Sequence, residues 1–179
     1  MLTITIPSTE LFDERTQEFI STKEQILQLE HSLVSISKWE SKWCKPFLSR
    51  ERKSLDETID YIKCMTVTQN VNPIVYNCLS ISNIEEINKY IELPMTATTF
   101  NSGSNGNNRE VITSELIYYW MISLNIPMEC QKWHINRLLT LIRVCNIKNT
   151  PPKKMSKKDI ISRYASLNAA RRQKFNSNG

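Results

Sequence analysis

The chain has 179 residues, of which 40% are hydrophobic and 23% charged, a composition typical of one soluble globular domain with or without a tail. No apolar run approaches the roughly eighteen residues that indicate a transmembrane helix, and the N-terminus lacks the basic and long apolar regions of a signal peptide. We therefore expect a cytoplasmic protein with no membrane partner. The five cysteines are odd in number and include no C-x-x-C pair, so we expect reduced thiols.

The net charge of +5 is unevenly distributed along the chain. Residues 151–179 carry eight basic residues and one acidic residue, a net charge of +7, whereas residues 1–150 carry 15 basic and 17 acidic residues, a net charge of −2. A nearly neutral body followed by a basic arm is typical of proteins that bind a polyanion or an acidic partner. We divide the chain into a helical globular domain, residues 1–150, and a basic C-terminal helix or tail, residues 151–179.

The first predicted element is a short strand over residues 2–6, where apolar and polar residues alternate before Pro7. Residues 23–29 are ambiguous between strand and helix, and we favour a strand that forms a hairpin-like pair with residues 2–6. Apolar residues then recur at helical spacing over residues 30–43, and Pro46 ends this helix. A small β element therefore precedes a helical body.

Further helix starts are marked by capping patterns, in which a serine is followed three residues later by an acid. Such patterns begin at Ser54, Ser82 and Ser156, while Pro73 suits a first helical position and Ser114 suits a cap. The caps agree with the apolar periods that follow them, which favours a consistent helical interpretation. The sequence predicts a mainly α fold, a compact bundle of five to six helices with a small N-terminal β element.

The segment from residue 94 to residue 149 combines a loop with the most apolar part of the chain. Residues 94–110 contain both internal glycines and many Asn and Ser residues, so we expect a loop there. Two helices follow, over residues 115–124 and roughly 127–145, joined by Asn125-Ile126-Pro127. A basic C-terminal helix completes the predicted order.

Residues with catalytic or metal-binding chemistry are few. Cys130 and His134 are four residues apart, as two ligands on one helix face would be, but a zinc site needs further ligands and the only other histidine is His31. We interpret this pair as packing residues. The chain has no phosphate-binding glycine motif, and its paired acids lie in first helical turns, where they offset the helix dipole. The sequence predicts no enzyme, no cofactor and no metal.

The predicted hairpin, residues 112–149, is rich in Trp, Tyr, Met and Arg, which protein interfaces favour. We interpret this hairpin mainly as part of the core, with one edge left exposed to bind a partner. We interpret the basic arm as a second contact surface for that partner. The predicted partner-binding residues are Tyr118, Trp120, Trp133, Arg137, Arg171 and Arg172. A helix-turn-helix over residues 113–124 and 128–145 is an alternative that would bind nucleic acid, although its second helix offers few side chains to read bases.

Three segments of the chain carry a resemblance to a known family. They are LEHSLVSISKWESKWCKPFL (29–48), PMTATTFNSGSNGNNREVITSELIYYWMISLNIPMECQKWHINRLLTLIRVCNIKN (94–149) and LNAARR (167–172). Together they resemble the tail assembly chaperones of long-tailed bacteriophages, or siphophages. The three segments make up 82 of the 179 residues and include no catalytic motif.

The resemblance implies a non-catalytic factor in the host cell cytoplasm. Such a protein binds the phage tape-measure protein, or other tail proteins, and keeps it soluble while the tail tube assembles. Two alternatives stay open: a virion structural component of the tail or connector, and a helical regulator that binds nucleic acid through the basic arm. A homo-oligomer is also compatible with the sequence.

Overall fold

The computed structural model describes residues 1–13, 17–100, 111–151 and 156–176. These residues are mainly α-helical, as predicted. Contacts divide the chain into two units, Met1–Asn146 and Ile147–Gly179. The elements in chain order are β1 (Leu2–Ile6), β2 (Thr9–Asp13), β3 (Glu18–Thr22), β4 (Gln25–Leu29), α1 (Leu33–Trp43), α2 (Leu55–Met65), a first 3-10 helix (Pro73–Cys78), α3 (Ile81–Glu92), α4 (Ser114–Ser123), a second 3-10 helix (Met128–Lys132), α5 (Ile135–Asn149) and α6 (Lys157–Phe175).

The four strands form two separate antiparallel pairs. β1 pairs with β4, with Ile4 opposite Leu27, which confirms the predicted pairing. Alternation along the two strands places their buried side chains on one face: Ile4, Ile6, Leu27 and Leu29. The second pair, β2 with β3, was not predicted from the sequence.

Helix α1 lies at the centre of the first unit, against α2, α4 and the second 3-10 helix. Leu33, Ile36 and Trp39 are almost fully buried, and their spacing of three residues places them on one side of the helix. Ser32 caps α1, with its side chain accepting a hydrogen bond from the backbone N–H of Ser35. The predicted hairpin therefore contributes to the core but does not form its centre, which α1 occupies.

The observed helix starts agree with the predicted ones only in part. The caps at Ser54 and Ser156 are confirmed. Helix α3 instead begins after Ser80, two residues before the predicted cap at Ser82, because Asn83 completes a capping box with Ser80. The helix expected at Pro73 is present as the short first 3-10 helix.

The second helix of the hairpin begins later than predicted, because α5 starts at Ile135 and not near residue 127. The chain forms the second 3-10 helix, leaves helical geometry after Lys132, and begins α5 at Ile135. A β-bridge joins His134 to Ser32, and the backbone N–H of Ile135 donates to the carbonyl of His31 over 2.7 Å. A continuous helix through this point is interrupted because these residues bond to the start of α1.

The predicted loop over residues 94–110 is confirmed for the part that the structure describes. Residues 93–100 contain neither helix nor strand, and residues 101–110 lie outside the described residues. Within the described ranges, no helix combines the length and apolar character needed to cross a membrane.

Candidate partner-binding surface

Residues 116–122 of helix α4 are all apolar or aromatic, although only one side of the helix is buried. Thr113, and not the predicted Ser114, caps it by accepting a hydrogen bond from a backbone N–H in the first turn. Ile117 is fully buried in the core. The opposite side exposes Tyr119 by 63% and Ile122 by 67%. The exposed side of α4 therefore combines two large apolar side chains with the polar residues Glu115 and Ser123.

The exposed large apolar side chains in and just after α4 are Tyr119, Ile122 and Met128. Tyr119 and Ile122 are three residues apart and therefore share one side of the helix. Met128, at the start of the second 3-10 helix, is 45% exposed. We call Tyr119 and Ile122 the α4 face. The predicted site did not include these residues, although the continuous apolar and aromatic run over residues 116–122 is the signal that could have identified them.

Two of the predicted residues lie on opposite flanks of α4. Successive helical residues are about 100° apart, so Tyr118 and Trp120 point about 160° away from each other. Both side chains are half-buried. The hydroxyl of Tyr118 donates to the side-chain oxygen of Gln131 over 2.9 Å, which braces α4 against the second 3-10 helix, and burial raises the pKa of Tyr118. The structure does not bring Tyr118 and Trp120 into one surface.

Trp133 and Arg137 do lie together. The guanidinium carbon of Arg137 is 4.2 Å from the ring centroid of Trp133, in cation–π geometry. Trp133 is half-buried and Arg137 is exposed, so the indole packs on the protein while the guanidinium faces solvent. Trp and Arg are the residue types most enriched in binding hot spots, which supports this pair as part of a partner-binding surface.

Arg171 and Arg172 lie on α6, in the second unit, whereas the other four predicted residues lie in the first. None of the 19 residues of α6 is buried. Its exposed large apolar residues are Ile160, Ile161, Tyr164, Leu167 and Phe175. The helix carries six basic residues and one acidic residue. Binding through Arg171 and Arg172 stays a prediction.

Both histidines of the chain are buried side by side, with ring centroids 5.0 Å apart in an edge-to-face arrangement. The hydroxyl of Tyr61 is hydrogen-bonded to Nδ1 of His31. Nε2 of His134 donates to the carbonyl of Tyr90 over 3.2 Å, while its Nδ1 accepts from the backbone N–H of Asn136 over 3.3 Å. These partners describe a neutral His134. Burial lowers the pKa of both rings, and the proximity of His134 contributes to lowering the pKa of His31 to about 3.

Cys130 and His134, the two residues with metal-ligand spacing in the sequence, do not lie on one helix. Cys130 lies in the second 3-10 helix and His134 beyond its end, so the two do not share a helix face. Within the described parts of the chain, no group of three or more His, Cys, Asp or Glu side chains is arranged to hold a metal ion. All five cysteines are free thiols.

The buried carboxylate of Glu40 was not singled out in the sequence. One oxygen accepts a hydrogen bond from the backbone N–H of Phe47 and the other from the backbone N–H of Ser114, each over 2.7 Å. Ser114 is the first residue of α4, where the helix dipole places partial positive charge that favours a carboxylate. Glu40 therefore fixes the start of α4, and with it the α4 face, against the end of α1.

The connection between α4 and α5 does not have helix-turn-helix geometry. Residues 124–134 separate the two helices and include the second 3-10 helix, whereas that motif joins its helices by a turn of about three or four residues. The helix expected to read bases also begins later than predicted, and it buries Ile135, Leu138 and Ile142 in the core. The helix-turn-helix alternative was therefore wrong in its geometry.

Protein-family models, curated proteins and solved structures were compared with this chain, and none of them matches it. The candidate surface rests on two features of its own geometry. One is the exposed apolar side of α4, and the other is the Trp133–Arg137 stack at the start of α5.

Proposed function

We propose that this protein is a non-catalytic tail morphogenesis factor of a long-tailed bacteriophage, similar to a tail assembly chaperone, which binds helical segments of the tape-measure protein and keeps them soluble. The observation that carries the proposal is the α4 face, where Tyr119 and Ile122 are 63% and 67% exposed. The sequence resemblance over residues 29–48 and 94–149 supports the same function.

The size of the α4 face suits a chaperone. Helix α4 has ten residues and is therefore about 15 Å long. A face of that length offers less than the roughly 800 Å² per partner that a standard stable interface buries. Each contact would be weak and reversible. A long amphipathic helix could hold many copies through its repeated apolar stripe, and tail-tube subunits could then displace them.

The proposal is tested by co-expressing the protein with the tape-measure protein of the same phage. The wild-type protein should keep the tape-measure protein soluble and co-purify with it, whereas the double variant Tyr119→Ser, Ile122→Ser should do neither. Both side chains are exposed, so the variant should keep the thermal unfolding midpoint of the wild type. The matched control removes two exposed apolar side chains elsewhere, Leu55→Ser with Ile81→Ser, and should bind normally.

Two results would contradict this proposal. If the tape-measure protein is equally insoluble with and without the wild-type protein, the proposal is wrong. If the control variant loses binding as fully as the α4 variant, the α4 face is not the binding surface.

A second candidate function, a structural component of the virion, is favoured by α6. This helix has 19 residues and buries none of them, whereas most helical stability in proteins comes from packing of an apolar face. Packing in an assembled particle would supply the missing partner. Mass spectrometry of purified particles separates the two functions, because a chaperone is absent from mature particles and a structural protein is present in many copies.

A further inference from the structure

A cleft of about 490 Å³ lies in the first unit, between the start of α1 and the end of α2. Its other walls come from Glu30, which follows β4, and from Lys132, the last residue of the second 3-10 helix. The volume falls within the range of about 300–1,000 Å³ that is usual for ligand pockets. It is large enough for one or two side chains of a bound segment.

The floor of the cleft is formed in part by apolar side chains, beside Ser32, Ser35 and Thr66. Met65, the last residue of α2, is buried, and Val34 in the first turn of α1 is half-buried. Val67 lies next to them in the cleft lining and is exposed. An apolar side chain that entered the cleft would remove part of this surface from water, which is favourable in proportion to the area covered.

The rim of the cleft carries two lysines, Lys38 and Lys132, whose side chains are exposed. Two other lysines near the end of α1 are paired with acids: Lys42 with Asp60 and Lys45 with Glu57. By contrast, no described acid lies within ion-pair distance of the ammonium group of Lys38 or Lys132. Among the described residues, these two rim cations are therefore not paired with an acid.

Glu30, the acid that lines the cleft, is already engaged. One carboxylate oxygen accepts a hydrogen bond from the hydroxyl of Tyr90 over 2.7 Å, and the other lies 3.0 Å from the amino group of Met1. Because Glu30 is paired with Met1 and Tyr90, neither Lys38 nor Lys132 has a carboxylate partner among the residues that line the cleft. The combination of apolar floor side chains and these two lysines is complementary to a ligand that carries an apolar group beside carboxylates.

We propose that this cleft binds an acidic amphipathic segment of the partner protein, with an apolar side chain on the floor and carboxylates against Lys38 and Lys132. Lys132 directly precedes Trp133, whose ring carries the guanidinium of Arg137, so a third cation lies close in sequence to the rim. The inference rests on the proposed function, because it specifies the chemistry of the segment that the factor holds.

The test uses the full-length protein and two labelled synthetic peptides that share one amphipathic leucine spacing. One peptide carries Glu and the other Gln at the positions that flank the leucines. Fluorescence anisotropy at low salt should show that the Glu peptide binds about five- to tenfold more tightly, which is the effect of two exposed ion pairs. Added salt should reduce this preference because it screens exposed charges.

The double variant Lys38→Gln, Lys132→Gln should bind the two peptides equally. The control variant Lys89→Gln, Lys148→Gln makes the same change in net charge at exposed positions outside the cleft lining and should keep the preference for the Glu peptide. Substitution of the exposed apolar lining residue, Val67→Ser, should weaken binding of both peptides to a similar extent.

Three results would overturn the inference: equal binding of the two peptides to the wild-type protein, an unchanged preference in the cleft variant, or an equal loss in the control variant. The two proposals fail separately. If the tape-measure protein is not held in solution but the cleft variant still abolishes the preference for the Glu peptide, the proposed function is wrong and the acidic-segment site stands.

Discussion

The buried rings of His31 and His134 lie where two distant parts of the chain meet. The backbone carbonyl of His31 accepts from the N–H of Ile135, so the same residues connect the start of α1 to the start of α5. Protonation of His134 at Nδ1 would place a donor opposite the N–H of Asn136, where an acceptor is needed. The ring centroids are 5.0 Å apart, so two charged rings would also repel each other. Tyr61 and Tyr90 contact the pair, and Glu30 lies close by.

This arrangement predicts that the protein loses stability in mild acid. A histidine in the unfolded chain takes up a proton near its ordinary pKa of 6.5, whereas folded His31 does so only near 3, so the unfolded state binds more protons between these values. The stabilisation is complete above pH 6.5 and is lost as the pH falls towards 3. From pH 7 to pH 5, His31 alone should lower the free energy of unfolding by about 2 kcal/mol.

Urea unfolding at pH 7, 6 and 5 measures this loss. The variant His31→Asn should be less stable than the wild type at pH 7 but should show a flatter dependence on pH. An identical slope in the two proteins would mean that other groups cause the acid sensitivity.

At the scale of elements, the position of α4 depends on one carboxylate. Glu40→Ala would leave the buried N–H groups of Phe47 and Ser114 without their acceptors, and we expect a loss of about 3 kcal/mol in the free energy of unfolding. Glu40→Gln should have an intermediate effect, because its amide keeps one acceptor and sets a donor against the other N–H. The exposed control Glu86→Ala should stay within about 0.5 kcal/mol of the wild type.

Urea unfolding followed by tryptophan fluorescence checks the series. An effect of Glu40→Ala no larger than that of Glu86→Ala would show that the two hydrogen bonds do not hold α4 in place.

Elements formed by neighbouring residues could be predicted from the sequence, because their causes are local. The alternation over residues 2–6 identified β1, and the Ser54 capping box identified the start of α2. The break before α5 could not be predicted, since it depends on a bridge between His134 and Ser32, which are about a hundred residues apart in sequence. Helical periodicity carries no information about such a contact.

Only part of the candidate site could be predicted, because the sequence does not show which side of a helix is covered by the rest of the fold. Trp133 and Arg137 were chosen as residue types that interfaces favour, and the structure brings them together. Tyr118 and Trp120 were chosen for their residue types, but the position of α1 decides which side of α4 is covered. That position places Tyr119, between them, on the exposed side.

At the scale of the whole molecule, the folded core and the basic charge lie in different parts of the chain. Every buried hydrophobic residue of the described ranges lies at or before Ile142. Residues 151–179 carry a net charge of +7, and α6 buries no side chain. The core of Met1–Asn146 is thus built from its own residues, and most of the basic charge lies outside that core.

A chain truncated after Thr150 tests this division. Its thermal unfolding midpoint, followed by near-UV circular dichroism, should lie within about 3 °C of that of the full chain, because a change below 1 kcal/mol shifts a protein of this size by about 2–4 °C. Its net charge changes from +5 to −2, so binding to an acidic partner should become weaker and less dependent on salt.

The full-length variant Arg171→Glu, Arg172→Glu separates charge from folding. It should reproduce part of the loss in binding with no change in the unfolding midpoint, because both side chains are exposed. A midpoint lowered by about 10 °C in the truncated chain would correspond to several kcal/mol. In that case the arm would be part of the folded core, and the exposed apolar residues of α6 would have to be explained by packing within the chain instead of by a partner.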